Sequence, residues 1–139
     1  MSNADDRRRS PIRSFLDLEV YQVAYRASIE VIQEILPTLP REEQDDLTDQ
    51  LRRSCKAVPR LISEGYSKKH QRKGFQKYLD DALSESNETI VSLSQARDLY
   101  VPPGMKPTCE RLIQAYTSVS KMTFTLRRVW DQFGGPPPP

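Results

Sequence analysis

Apolar and small residues recur at helical spacing through four stretches of this chain, each bounded by proline, glycine or charged punctuation. The first predicted helix covers about Asp17 to Leu36. Asp17 serves as its N-cap, and the segment PTLP ends it, because proline cannot continue a helix. Tyr21, Ala24, Tyr25, Ser28, Val31, Ile32 and Ile35 form its stripe. Leu18, Ile29 and Leu36 widen the arc on one side, and Val20 and Ala27 on the other. So wide an arc exceeds a single helix–helix seam and predicts a second contact.

The second helix is expected from about Arg41 to Glu64. The acidic REEQDD opening suits the positive end of a helix dipole, and Gly65 suits its C-cap. Leu47, Leu51, Ser54, Cys55, Val58, Leu61 and Ile62 make one stripe that continues past Pro59, which predicts a kink and not a break. The third helix spans about Lys73 to Tyr100, with Phe75, Leu79, Ala82, Ser86, Ile90, Leu93 and Tyr100 on one face. The fourth spans about Pro107 to Phe133, through Cys109, Leu112, Ile113, Tyr116, Val119, Leu126 and Trp130. No stretch alternates with period two. The fold class is therefore all-α, an antiparallel up-down-up-down four-helix bundle over residues 16–133. Residues 1–15 make a flexible N-terminal segment, and the Gly/Pro tail 134–139 is expected to stay unpacked.

Composition narrows the class. At 139 residues, 37% hydrophobic and 29% charged, the chain has the size and balance of one soluble domain. No apolar run reaches the ~20 residues of a membrane span, and the polar N-terminus lacks the apolar core of a secretory signal. Cys55 and Cys109 lack metal-ligand spacing and fall at core positions, as reduced thiols in a cytoplasmic protein would. Catalytic chemistry finds no footing. His70 is the sole histidine and lies among lysines, so neither a triad nor a multi-histidine metal site can be assembled. Glu85 and Glu88 lack the Glu-x-x-His partners of a di-metal bundle. The chain carries no phosphate-cradling glycine loop and no nucleophile elbow. A non-enzyme with no cofactor and no metal is expected.

The net charge is only +2, yet nine Lys or Arg residues fall between positions 52 and 77, where Glu64 is the only acid. At about 100° per residue, Arg52, Arg53, Lys56 and Arg60 project opposite the Leu47–Leu51–Val58 stripe. Lys68, Lys69, Arg72, Lys73 and Lys77 follow across the turn into the third helix. Acids flank the block on both sides: Glu42, Glu43, Asp45, Asp46 and Asp49 before it, Asp80, Asp81, Glu85 and Glu88 after it. Such segregation fits a phosphate backbone, since each neutralised phosphate releases a counterion. It also fits an ordinary solvated face, or a basic end that meets an acidic protein. Of the neighbouring aromatics, Phe75 belongs to the core face and Tyr78 borders it, leaving Tyr66 free to stack on a base.

The segments DLEVYQVAY, LPREEQDDLTDQLRRSCKAVPRLISEG and FQKYLDDALSESNET resemble the four-helix-bundle family of 23S rRNA intervening-sequence proteins over about residues 16 to 100. The most specific part is the pattern carried by Gln50, Arg52, Arg53, Pro59, Ile62, Glu64 and Gly65. The chain departs from the family at Leu61, where Asn is common, and at Ser84 and Glu85, where a Gly-Ser pair is common. The family in turn resembles the accessory variability protein of diversity-generating retroelements. That likeness implies a ring-like homopentamer whose basic surface binds nucleic acid and a reverse transcriptase. The broad apolar arc of the first helix is then a subunit contact. The resulting expectation is a non-catalytic, oligomeric RNA- or DNA-binding protein. The alternative is a scaffold that docks an acidic protein.

Overall fold

The structure is a computed structural model that describes residues 11–130. The Gly/Pro tail 134–139, the end of the fourth helix at Phe133 and most of the N-terminal segment lie outside the described residues. Four long helices dominate: α1 (Glu19–Glu30), α2 (Leu47–Ser67), α3 (Arg72–Leu99) and α4 (Lys106–Arg128). Every regular element among the described residues is helical.

Side-chain pairings give the topology. Between α3 and α4, Arg97 meets Glu110, Ser86 donates to the carbonyl of Tyr116, and Arg127 meets Asp80. Numbers rise on one helix as they fall on the other, so the pair is antiparallel. Between α2 and α3, Thr89 donates to Ser54, while Gly65 lies against Tyr78 and Leu79. That pair is antiparallel as well. Across α1 and α4, Arg111 pairs with Glu30, while Leu18 and Val20 lie beside Thr125 and Leu126. These three relations leave α1 and α2 antiparallel too, which makes the expected up-down-up-down bundle.

The core follows the predicted stripes. Ala24, Val31, Ile35, Leu51, Cys55, Val58, Ile62, Phe75, Leu79, Ala82, Leu93, Leu112, Tyr116 and Val119 are buried. Its polar members are mostly satisfied in place. Thr89 donates to Ser54 at 2.8 Å, and Ser86 bonds both the Tyr116 carbonyl and Ser120. The Tyr116 hydroxyl is fully enclosed and has no partner among the described residues.

Local chemistry moves several boundaries. Asp17 does not cap α1. Its carboxylate accepts from the N–H groups of Arg13 and Ser14, which closes a capping box on the 3₁₀ turn Phe15–Asp17. Ser14 and Phe15, placed in the N-terminal segment by the sequence, therefore belong to the fold, and Phe15 packs on the core. Beyond Glu30, α1 widens into a π-turn over Val31–Ile35, where the N–H of Leu36 reaches the carbonyl of Val31. Pro37 follows and offers no N–H. The REEQDD segment forms a 3₁₀ turn at Arg41–Glu43, and α2 starts only at Leu47, whose N–H is capped by the Glu43 carboxylate.

Helix α2 runs unbroken through the buried Pro59 and does not stop at Gly65. Gly65 instead faces α3, where an added Cβ would sit 3.2 Å from Leu79 Cδ2 and 3.4 Å from Tyr78 Cβ. Its role is close helix approach. The broad arc of α1 is largely spent within the chain, because α1 packs on both α2 and α4. The second contact that the sequence demands is thus an intramolecular one. Tyr25 and Ile29 remain outside it, 49% and 39% exposed.

Candidate nucleic-acid interface

The burial of Leu51, Cys55, Val58 and Ile62 turns Arg52, Arg53, Lys56 and Arg60 outward, and all four are exposed. Arg53 Nε binds Asp49 Oδ2 at 3.0 Å one turn back, with both side chains well exposed. Such a pair contributes at most a few tenths of a kcal/mol and does not lock the arginine. Arg53 is thus a surface residue, not one buried at a helix boundary. Arg52, Lys56 and Arg60 make no ion pair with a carboxylate among the described residues.

The remaining five cations lie at or beyond the end of α2. Lys68 and Lys69 occupy the α2–α3 turn, with Lys69 Nζ 4.3 Å above the Tyr66 ring and 3.2 Å from its hydroxyl. Arg72 and Lys73 open α3, and the guanidinium of Arg72 lies 6.0 Å from the Trp130 ring centre. Lys77 is bound to Asp81 at 3.2 Å. Tyr66 itself is buried, so the aromatic that the sequence left free for base stacking is not available. His70 is exposed in the turn.

Folding also returns acids to the block. A groove between α2 and α3 is lined by Arg53, Lys56 and Arg60 together with Glu64 and Glu85. Partial burial raises the Glu85 carboxyl above its usual range, and Glu88 and Asp81 add to the shift. Along the chain Glu64 is the only acid inside the block, whereas in space Glu85, from the flank that follows, joins it. Glu64 itself is exposed on this groove.

On the opposite side of the same ridge lies a different groove, between α1 and α2, with a volume of about 390 Å³. Phe15, Tyr21, Tyr25, Ile29 and Ile32 line one wall, Pro59 part of the other, and Lys56 and Arg60 stand at its edge. Phe15 meets Tyr21 edge-on, with ring centres 4.8 Å apart at 78°. Tyr25 follows one turn along α1, 5.9 Å from Tyr21. Aromatics sought only beside the basic block in sequence miss this set, which lies 27 to 37 positions before Arg52. The signal available was Tyr21 and Tyr25, one turn apart on α1, with Phe15 shortly before that helix.

The motif residues separate by role. Pro59, Ile62 and Gly65 are buried packing positions, while Gln50, Arg52, Arg53 and Glu64 are exposed. Leu61 is half-buried, Ser84 is exposed, and both border the groove wall near Glu85. Among the described residues, no three of His, Cys, Asp and Glu come together as metal ligands would, and no helix is long and apolar enough to cross a membrane. Both cysteines are free and buried. Burial pushes the Cys55 thiol up to about 12 and also raises that of Cys109.

Fold and surface together define a small antiparallel helical bundle with an exposed cationic ridge on its second helix. The chain belongs to the 23S rRNA-intervening sequence protein family, whose sequence profile matches residues 16–125. The match reaches well into α4, beyond the residue 100 at which the visible resemblance ends. Neither the curated proteins nor the solved structures compared with the chain include a match.

Proposed function

We propose that this protein is a non-catalytic cytoplasmic accessory protein that binds the phosphate backbone of RNA or DNA. Its binding surface comprises Arg52, Arg53, Lys56 and Arg60 on α2, Lys68 and Lys69 in the turn, and Arg72, Lys73 and Lys77 on α3. One observation carries the reading: Arg52, Lys56 and Arg60 stand exposed along α2 without an ion-pair partner among the described residues. Three neighbouring unneutralised cations are costly through mutual repulsion and are relieved by a polyanion. The family's name, which ties it to intervening sequences of 23S rRNA, points the same way.

The protein acts as a homo-oligomer, with a ring-like pentamer the favoured form. This part rests on the resemblance to the retroelement accessory protein, and a reverse transcriptase is the protein partner it implies. Repetition of the ridge around a ring raises avidity without tight contacts from each subunit. Light scattering that gave a monomer across micromolar concentrations would remove the oligomer, while a dimer would remove only the number.

Binding isotherms for generic RNA and DNA at several salt concentrations test the central claim. Affinity should fall steeply with salt and depend little on sequence, because backbone contacts position without reading bases. Wild-type protein that bound neither RNA nor DNA at low salt would leave the ridge as the docking surface of an acidic protein, or as a solvated face.

A further inference from the structure

We infer that the groove between α1 and α2 receives unpaired bases, so that the ligand of the ridge is a single-stranded nucleic acid. This rests on the backbone-binding reading above and adds the strand class to it. The two grooves beside the ridge are not equivalent. The α2–α3 groove holds the carboxylates of Glu64 and Glu85 and no aromatic side chain. The α1–α2 groove holds three aromatic rings and no carboxylate. Lys56 and Arg60 line both.

A strand whose phosphates rest on Lys56 and Arg60 therefore has one favourable side for its bases. Towards α3 it meets two acids that repel it. Towards α1 it meets an apolar surface that accepts flat π-systems of any sequence, the combination used by single-strand binders. Tyr21 is braced edge-on by Phe15, whereas Tyr25 is half exposed and offers the accessible ring. The groove volume of about 390 Å³ falls within the ~300–1,000 Å³ range of small-ligand sites. A duplex keeps its bases stacked inside and can offer only its backbone to this site. Because Tyr25 and Ile29 are left open for the ligand, the subunit contacts of the proposed oligomer fall elsewhere.

The test compares three fluorescent probes at low salt: an oligothymidylate, an abasic strand of equal length, and a thymidine–adenine duplex. Wild type should bind the oligothymidylate about tenfold more tightly than the abasic strand, the scale of one stacked base. Tyr25→Ala should abolish that preference while leaving abasic binding unchanged, and Tyr25→Trp should retain it. Lys56→Gln should weaken binding to both strands alike. Equal affinity of wild type for the two strands, or a preference that survives Tyr25→Ala, overturns the inference and leaves backbone binding intact. A change of oligomeric state in Tyr25→Ala also overturns it, since a second copy of the chain would then cover the groove. Failure of all three probes to bind overturns the backbone reading as well.

Discussion

Replacing Arg52, Lys56 and Arg60 together by Gln probes the ridge with the least collateral change. All three are exposed, and none holds a carboxylate among the described residues, so their loss strands no buried partner. Surface changes of this kind stay within about 0.5 kcal/mol of wild-type stability. Each cation that contacts a phosphate of duplex DNA contributes about −0.9 to the slope of log affinity against log salt. If all nine cations engage, the wild-type slope on a duplex is about −8 per subunit, and the triple variant is about 2.7 shallower. On a single strand, at about −0.7 per contact, these become about −6 and about 2. Arg53 and Lys77 make poorer probes, because their removal also frees Asp49 and Asp81 to repel the ligand. Fluorescence anisotropy across a salt series, with circular dichroism as the folding control, reads both quantities. A slope that the folded variant leaves unchanged would refute the assignment of these residues to phosphate contact. The scaffold alternative predicts that the same variant loses an acidic protein partner while nucleic-acid binding stays as weak as in wild type.

Three further outcomes test the interior. Tyr116→Phe should raise stability by about 1 kcal/mol, since it deletes an enclosed hydroxyl without a partner among the described residues, and a lower urea midpoint would contradict this. The Cys55 thiol is neutral in the fold and is raised from 9.0 to about 12 by burial, so the unfolded chain releases its proton first. Stability should be intact below pH 9 and should decline as pH rises towards 12, with Cys109 and Tyr116 shifted in the same direction; a flat urea midpoint over that window refutes the burial argument. Gly65→Val should cost about 1–3 kcal/mol through crowding of Leu79 and Tyr78, and wild-type thermal stability would show that the helices part freely.

The sequence by itself determined the four helices and nearly all of their buried faces, because helical periodicity is a local property. Leu51, Cys55, Val58, Ile62, Phe75, Leu79, Leu93, Leu112, Tyr116 and Val119 announce themselves by spacing alone, and each is buried. Spacing also set Arg52, Lys56 and Arg60 on the solvent side of α2. The element ends were less legible, since a capping box at Ser14, a π-turn at Val31–Ile35 and a late start at Leu47 each depend on hydrogen bonds that compete with simple helix continuation. Only the tertiary structure decided what stands beside what. Gly65 reads as a helix stop until α3 is seen packed against it, and Tyr66 reads as free until its burial is seen. Glu85 is a distant flank in sequence and a groove wall in space. Tyr21 and Tyr25 lie more than thirty residues from Lys56, and they reach its side because α1 and α2 pack with one register out of several that the same stripes would allow. Periodicity records which face of a helix is apolar; the choice of neighbour comes from how side chains thirty or more positions apart interlock, and no local pattern carries that.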